Sequence, residues 1–257
     1  MRLATWNING TKARLAYILH WLEDIKPDVV GFQELKMTDE QFPSDVFRNA
    51  GYHSVTHGQK GWNGVAILSR EPATVTQTGL PGQEEIGARL LTAQVSGISF
   101  TTVYVPNGKT ITHEDFKRKL GWLDSLHRYF ETSHKSSDPV VLTGDFNVVP
   151  AAIDSWSEER LGTHIFHTPE ERSILKRIQS WGLTDSFRHL RPEDPGFTWW
   201  DYRAGAFHKK QGLRIDLMFV SQPLVGRLSA VTVERKYRKK IEGLIPSDHA
   251  PLWVDFE

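Results

Sequence analysis

Five short stretches bring carboxylate, amide and imidazole side chains together directly after apolar runs. They are Trp6-Asn7-Ile8-Asn9, Gly31-Phe32-Gln33-Glu34, Thr143-Gly144-Asp145-Phe146-Asn147, Leu213-Arg214-Ile215-Asp216 and Ser247-Asp248-His249. Strand ends are where a rigid scaffold presents reactive groups. Each stretch alone has an ordinary explanation: Asn7 and Asn9 fit an Asx turn, Glu34 a solvated strand end, Asp145 and Asn147 a turn, and Asp248 a cap. Their combination is what indicates chemistry. In an extended segment Asp145 and Asn147 would share a face while Phe146 enters the core.

Acids, amides and one His, with no Cys available, select a narrow set of reactions. Oxygen ligands such as Glu34 and Asp248 suit a hard cation like Mg²⁺, which keeps several waters and is held by one or two carboxylates plus substrate phosphate. His249, oriented by a carboxylate, would then face the phosphate, and Asp145 would hold an attacking water. This describes phosphodiester hydrolysis. Ser247-Asp248-His249 does not make a serine-hydrolase triad, because consecutive residues of an extended segment point to alternating sides and no G-x-S-x-G elbow occurs. His164 and His167 lack the carboxylate or Cys partners of a zinc site, and no H-E-x-x-H is present.

Positioning these groups takes many strands. Short β-rich runs recur at 2–8, 28–32, 65–68, 90–95, 99–105, 140–143, 213–220, 231–234 and 252–256. Helical spacing appears in Leu15, Ile18, Leu19 and Leu22, ending before Pro27, and again in Phe116, Leu120, Leu123 and Phe130. A third helix is the clearest: Thr168 as N-cap, Pro169 at the first position and Glu171 closing a capping box precede Ile174, Leu175, Ile178 and Trp181, with Gly182 as the stop. A shorter one is expected over 39–50, ending at Gly51. No repeat or linker interrupts the chain, so one domain over residues 1–257 is expected. Without strict βαβ alternation, the pattern favours a layered α/β sandwich of mixed sheets.

Composition narrows the classes further. With 257 residues, 39% of them hydrophobic and 24% charged, the chain can bury a large core. The absence of Cys excludes a disulfide framework, a thiolate nucleophile and Cys-ligated zinc or iron–sulfur sites. Lys+Arg and Asp+Glu both number 31, so any phosphate binding must be local. Between Arg203 and Lys240 there are ten Lys or Arg against two Asp or Glu, densest in Arg235-Lys236-Tyr237-Arg238-Lys239-Lys240, a local excess placed to track a nucleic-acid backbone. No apolar run reaches bilayer-spanning length, and the opening turns polar too soon for a secretory signal, so a soluble cytoplasmic protein with no membrane partner is expected.

Taken in order, the clusters resemble the exonuclease III family of DNA-repair nucleases, which includes AP endonucleases, within the endonuclease/exonuclease/phosphatase superfamily. The resemblance runs through W-N-I-N-G, P-D-V-V-G-F-Q-E-L-K, W-N-G-V-A-I-L-S, Y-V-P-N-G, L-T-G-D-F-N-V-V-P, T-P-E-E-R, T-W-W-D-Y-R, G-L-R-I-D and P-S-D-H-A-P, essentially the whole chain. It implies a four-layer α/β sandwich of two mixed sheets flanked by helices, DNase I-like, with the site at one edge. By the same resemblance Glu34 with Asn7 would bind Mg²⁺, Mn²⁺ being able to substitute, and Asp248 would lie at the same centre. Asp145 would position or deprotonate the water, and Asn147 and Tyr104 would contact the scissile phosphate. His249, hydrogen-bonded to Asp216, would stabilise the pentacovalent transition state. The resemblance does not assign the base or the number of metal ions.

The run Trp199-Trp200-Asp201-Tyr202-Arg203 followed by Gly212-Leu213-Arg214-Ile215-Asp216 resembles the DNA-repair branch, where apolar residues wall a pocket for an extruded sugar. Trp199, Leu213 and Ile215 are the pocket candidates, with Asn107, Trp200, Arg203 and Arg214 as further substrate contacts. One departure is Ile165-Phe166-His167 before Thr168-Pro169, where family members that cut at abasic sites often have a small residue. A bulky His167 would crowd an internal strand while admitting a frayed 3′ terminus. The expected function is a nuclease that cleans and shortens 3′ ends, with 3′–5′ exonuclease and 3′-phosphodiesterase or 3′-phosphatase activity. The expected partner is double-stranded DNA with 3′ ends, nicks or abasic sites, bound by a monomer. The alternatives are a full AP endonuclease of base excision repair, a superfamily phosphatase acting on a lipid or small phosphate ester, and a DNA-binding scaffold without activity.

Overall fold

The computed structural model describes residues 1–257. The strands are β1 (Arg2–Asn7), β2 (Val29–Gln33), β3 (His53–His57), β4 (Val65–Ser69), β5 (Thr74–Thr78), β6 (Leu90–Val95), β7 (Ile98–Tyr104), β8 (Val140–Asp145), β9 (Leu183–Asp185), β10 (Asp216–Ser221), β11 (Leu228–Val233) and β12 (Leu252–Phe256). The helices are α1 (Thr11–Ile25), α2 (Ser44–Asn49), α3 (Glu114–Ser133), α4 (Glu158–Leu161), α5 (Pro169–Ser180), α6 (Ser186–Leu190) and α7 (Gln222–Val225). None is long and apolar enough to cross a membrane.

Two six-stranded mixed sheets form, in the orders β11-β12-β1-β2-β4-β3 and β5-β6-β7-β8-β10-β9. Only β1–β2 and β7–β8 are parallel pairs. The two-residue period of a strand sorts the apolar side chains. Leu3, Val29, Ile67, Phe100, Val141, Met218 and Val254 meet between the sheets. Ala4, Trp6, Val30 and Phe32 face outward onto Ile18, Trp21 and Leu22 of α1. On the other side Val103, Leu142 and Phe219 face Trp122 and Leu126 of α3 and Ile174 and Ile178 of α5. The result is the expected four-layer α/β sandwich. Gly31 permits a close approach of the two sheets, since a Cβ there would sit 2.6 Å from Thr102 Oγ1.

Nine of the expected runs are strands of the structure, and β3, β5 and β9 were not foreseen. All three lie at sheet edges. An edge strand is half solvated, so H-S-V-T-H and T-V-T-Q-T carry no apolar run for the eye to catch. The helix expected over 39–50 begins only at Ser44, after Pro43. Residues 213–215 leave the sheet, with Leu213 bridging Ser155 and Trp199 instead. The α5 capping box is as expected: Thr168 Oγ1 accepts from Glu171 N at 3.2 Å and Glu171 Oε2 from Thr168 N at 3.1 Å.

Topology gathers the chemistry. β1, β2, β7 and β8 all point their C-terminal ends at one edge, delivering Asn7, Glu34, Tyr104 and Asp145. Antiparallel β10 starts at that edge, pairing Asp216 with Asp145, and β12, antiparallel to β1, is entered there from Asp248 and His249.

Candidate active site

Asn7 stands at the centre of the edge. Fully buried, its Nδ2 donates to Glu34 Oε1 and to Asp145 Oδ2, both at 2.9 Å, while its Oδ1 accepts from Asn9 N at 3.0 Å. The Asx turn expected on purely structural grounds is real, and it orients the amide that joins two carboxylates. Asn9 in turn donates from Nδ2 to Asp248 Oδ1 at 2.8 Å and accepts from Lys36 Nζ at 2.5 Å. Lys36 also pairs with Glu34 Oε2 at 2.9 Å. Glu34 and Asp248 are therefore joined through Asn9 and Lys36 rather than by direct contact. Trp199 Nε1 donates to Asp248 Oδ2 at 3.0 Å.

The imidazole sits behind this chain. His249 Nδ1 donates to Asp216 Oδ2 at 2.8 Å, the proton being assigned there because a carboxylate only accepts, and Nε2 lies 3.8 Å from Asp145 Oδ2. Ser247 Oγ ties the segment down by donating to Asn7 O at 2.7 Å and accepting from His249 N at 3.1 Å. Asp145 and Asn147 do converge, but not as neighbours in an extended segment. Asn147 is left-handed at φ 49°, closing a second Asx turn in which its N–H donates to Asp145 Oδ1 at 3.0 Å.

Charge separates the carboxylates into two kinds. Burial pushes Glu34 up, but Lys36 and the Asn7 amide outweigh it and hold the carboxyl below its usual range. Burial also works on Asp248, and His249 with the Trp199 and Asn9 donors again holds it low. Asp145 goes the other way. Burial, reinforced by Asp216 and Glu34 against His249 and Asn7, pushes it up to about 7. For His249 burial alone would lower the value, yet Asp216 first and then Asp145 and Asp248 raise it to about 10. Burial and then Glu34 and Asp145 push the Tyr104 phenol well above its usual value, so it remains a proton donor. At neutral pH the edge thus holds the low-lying Glu34 and Asp248 carboxylates, an Asp145 carboxyl able to exchange a proton, the His249 imidazolium on Asp216 and the Tyr104 phenol.

Ligand atoms of Asp145, Asp216 and His249 lie within 4.8 Å of one another. Asp216 Oδ1 is buried without any donor. As an imidazolium His249 offers no lone pair, so this trio is not the cation site; Glu34 and Asp248, both held low, with the Asn7 amide oxygen give an all-oxygen donor set without thiolate that fits a hard divalent cation rather than a soft one.

The family model of the endonuclease/exonuclease/phosphatase family matches residues 4–249. Exodeoxyribonuclease III of Haemophilus influenzae is 36% identical over 270 aligned positions, covering 100% of each chain. Among solved structures, an AP endonuclease from Archaeoglobus fulgidus superposes with a TM-score of 0.96 at 35% identity, covering 100% of this chain and 99% of the other. A 3′ phosphatase from Neisseria bound to a product DNA hairpin gives 0.94 at 36% identity, with the same coverage. This chain belongs to the endonuclease/exonuclease/phosphatase family. Within it, the chain is a DNA-repair nuclease of the exodeoxyribonuclease III and AP endonuclease type.

For this family member the structure divides the remaining expected contacts. Leu213 and Ile215 pack with Val149, and Trp199 leans on them together with Trp156 and Phe166. Through its bond to Asp248, Trp199 joins this apolar wall to the acidic edge. Trp200 does not belong with them. Alternation turns it inward, 1% exposed, onto Ala206 and Ala250. Arg214 is also 1% exposed and is no substrate contact: its guanidinium pairs with Asp154 at 2.6 Å and Asp185 at 2.8 Å. Arg203 is exposed and paired with Asp201, and Asn107 is exposed with its Oδ1 accepting from Lys109 N.

His167 corrects another expectation. It does not protrude: 2% exposed, its ring contacts Ser155 Oγ at 3.0 Å and Ile165 O at 3.1 Å, filling space behind the wall that Leu213 forms with Ser155. In the basic stretch Tyr237 and Arg238 are buried, Arg238 clamping the carbonyls of Asp248 and Trp200 at 3.0 Å each. Lys36 and Arg89 were overlooked in the sequence. Arg89 donates to Tyr104 O at 3.1 Å and lies over its ring. The only sequence signal for Lys36 is its place two residues after Glu34, which the left-handed backbone at both positions turns into a contact.

Proposed function

We propose that this nuclease is Mg²⁺-dependent and acts chiefly at DNA 3′ ends, removing 3′-blocking groups and then nucleotides. The observation that carries the reading is the Asn7 amide bonded at once to Glu34 and Asp145, with Asp145 backed by the Asp216–His249 pair. Glu34, Asn7 and Asp248 would hold the ion, whose bound charge offsets that of the phosphoryl oxygens. Asp145, poised near neutrality, accepts the proton of the attacking water. The His249 imidazolium, fixed by Asp216, donates to a phosphoryl oxygen as negative charge grows in the transition state, and Tyr104 and Asn147 orient the phosphate. Catalysis of this kind is mostly the preplacement of charge around a phosphoryl group.

Preference for 3′ ends rests on His167. Buried against Ser155 and Ile165, its ring backs the apolar wall and would keep Leu213 from yielding to an extruded abasic sugar, where a small residue would let the wall give. Full AP endonuclease activity is the second reading, favoured by the likeness to the Archaeoglobus enzyme. We read the chain as a single-domain monomer acting on duplex DNA inside the cell, with exposed Arg235, Lys236, Lys239 and Lys240 along the DNA backbone. A time course on matched duplexes carrying a 3′-phosphate, a plain recessed end or an abasic site tests the reading, with phosphoinositides as the lipid-phosphatase control. Fast 3′-phosphate release, slower shortening and slow abasic incision are expected. Abasic incision as fast as 3′-phosphate release would overturn the preference, and turnover of phosphoinositide alone would overturn the substrate class.

A further inference from the structure

Lys119 is 0% exposed, an unusual position for an ammonium. Its Nζ donates to Asn147 O at 2.6 Å, to Asn107 O at 3.4 Å and to Glu171 Oε1, and it lies 4.7 Å from the centre of the Phe166 ring. The three oxygens it reaches belong to the Asn147 turn, the Asn107 loop and α5. We infer that Lys119 is a positioning residue for the nuclease reaction, holding the Asn147 turn and the Asn107 loop at fixed height against the helix that carries Glu171. The inference deepens the proposed function, since it rests on Asn147 as a phosphate contact.

Three handles fix Asn147. Its N–H is taken by Asp145 Oδ1 at 3.0 Å, its Nδ2 donates to Val105 O at 3.0 Å, and its carbonyl accepts from Lys119. Its backbone is left-handed, a conformation that a non-glycine residue keeps only when its surroundings hold it. Without the ammonium, a buried carbonyl loses its donor and the turn can relax, taking Asp145 Oδ1 out of register. The Asn107 side is held as tightly. Gly108, at φ +87°, lies so close that a Cβ there would meet Lys119 Cδ at 3.1 Å and Ile165 Cδ1 at 2.9 Å.

Glu171 carries the clamp onward. Its Oε1 also accepts from Phe166 N at 3.2 Å, and its Oε2 from Thr168 N and Oγ1 at 3.1 and 2.9 Å. Phe166 packs on Val149, Leu213 and Ile215. One ion pair therefore sets the phosphate-contact turn relative to the apolar wall. A buried ion pair contributes little net stability compared with apolar replacements of similar size, so its location, not its strength, is the informative feature.

The test uses the full chain and compares K119M/E171Q, which removes both charges at nearly constant volume, with N147A and with the triple variant. Expected for K119M/E171Q is a kcat loss of about 10- to 100-fold on the 3′-phosphate duplex at a KM within about 2-fold, the scale of a roughly 1 Å misplacement. In the N147A background the same pair of changes should cost less than about 3-fold, because residues acting through one another are non-additive. An unchanged kcat, or losses that multiply in the triple variant, overturns the inference. Should the double variant not fold, K119R keeps the pair with Glu171 and displaces only the donors; kcat falls at constant KM if the inference holds, and an unchanged kcat overturns it. D145N separates the two levels. If D145N and N147A both retain full rate, the reading of the site has failed; if they lose it and K119M/E171Q does not, only the role of Lys119 has.

Discussion

Replacing His167 by Gly asks whether the wall behind Leu213 decides between end cleaning and internal incision. The imidazole is buried against Ser155 and Ile165, so H167G leaves a hole in a packed region at a cost of about 2–4 kcal/mol. Leaving the buried Ser155 hydroxyl with only the 3.4 Å bond from Ser157 N adds about 1 kcal/mol. The sum is about 3–5 kcal/mol, and at roughly 2–4 °C per kcal/mol for a chain of this length Tm falls by about 6–20 °C. The space gained lies behind Ser155, which bridges Leu213, and apolar pocket changes of this size typically alter kcat/KM by about 10- to 100-fold. Abasic-duplex incision should rise by that factor, while release of 3′-phosphate changes by less than about 3-fold. The assay is paired single-substrate kinetics on the folded variant, with S155A as the control that loses the hydrogen bond without opening the wall. Folded H167G with no gain in incision, or S155A gaining as much, would refute the steric argument.

Other outcomes follow from the same geometry. D145N, or removal of divalent ions with EDTA followed by Mg²⁺ add-back, should lower kcat at least about 10³-fold while DNA binding by D145N stays within about 5-fold, measured by single-turnover kinetics and fluorescence anisotropy. R214M leaves Asp185 buried without its cation and Asp154 with Arg188 alone, and should cost about 3–5 kcal/mol in urea unfolding, identifying Arg214 as internal support and not as a DNA contact. K239A/K240A should weaken duplex binding and reduce the slope of log K against log salt by about 1–2, read from a salt titration. His57, His134 and His167 are all held below their usual 6.5 by burial. At these three sites the unfolded chain binds the extra protons, so their contribution to stability should decline as pH falls from about 6.5 toward 5, opposed over that window by Asp145, whose raised carboxyl binds its proton in the folded state. His134 Nε2 has no partner, and H134F, which keeps the ring packing on Tyr129 and Phe130, should flatten that decline in urea midpoints.

Much of the site was legible because strand ends carry their chemistry in a recognisable local order. Asn7, Glu34, Asp145, Asp216, Asp248 and His249 each follow or open an apolar strand, and α5 announces itself through Thr168, Pro169 and Glu171. The residues that were missed or misplaced share a different property. Trp199 and Trp200 are identical in type and adjacent, yet one faces the acidic edge and the other the core. Arg203 and Arg214 are both guanidinium groups near the site, yet one lies on the surface and the other neutralises two buried aspartates. Lys119 stands in an amphipathic helix where a lysine ordinarily marks the solvent side.

The amino-acid order by itself determined the sandwich of mixed sheets and the set of groups that meet at its edge, because hydrophobic period and residue type are local properties that each strand carries alone. Only the tertiary structure decided which other groups touch: that Asn7 joins Glu34 to Asp145, that Lys36 pairs with Glu34, and that His167 faces inward. Those choices depend on sheet register and on which charges surround each buried carboxyl: burial raises both, but Lys36 and the Asn7 amide bring Glu34 below its usual range while Asp216 and Glu34 reinforce the rise of Asp145.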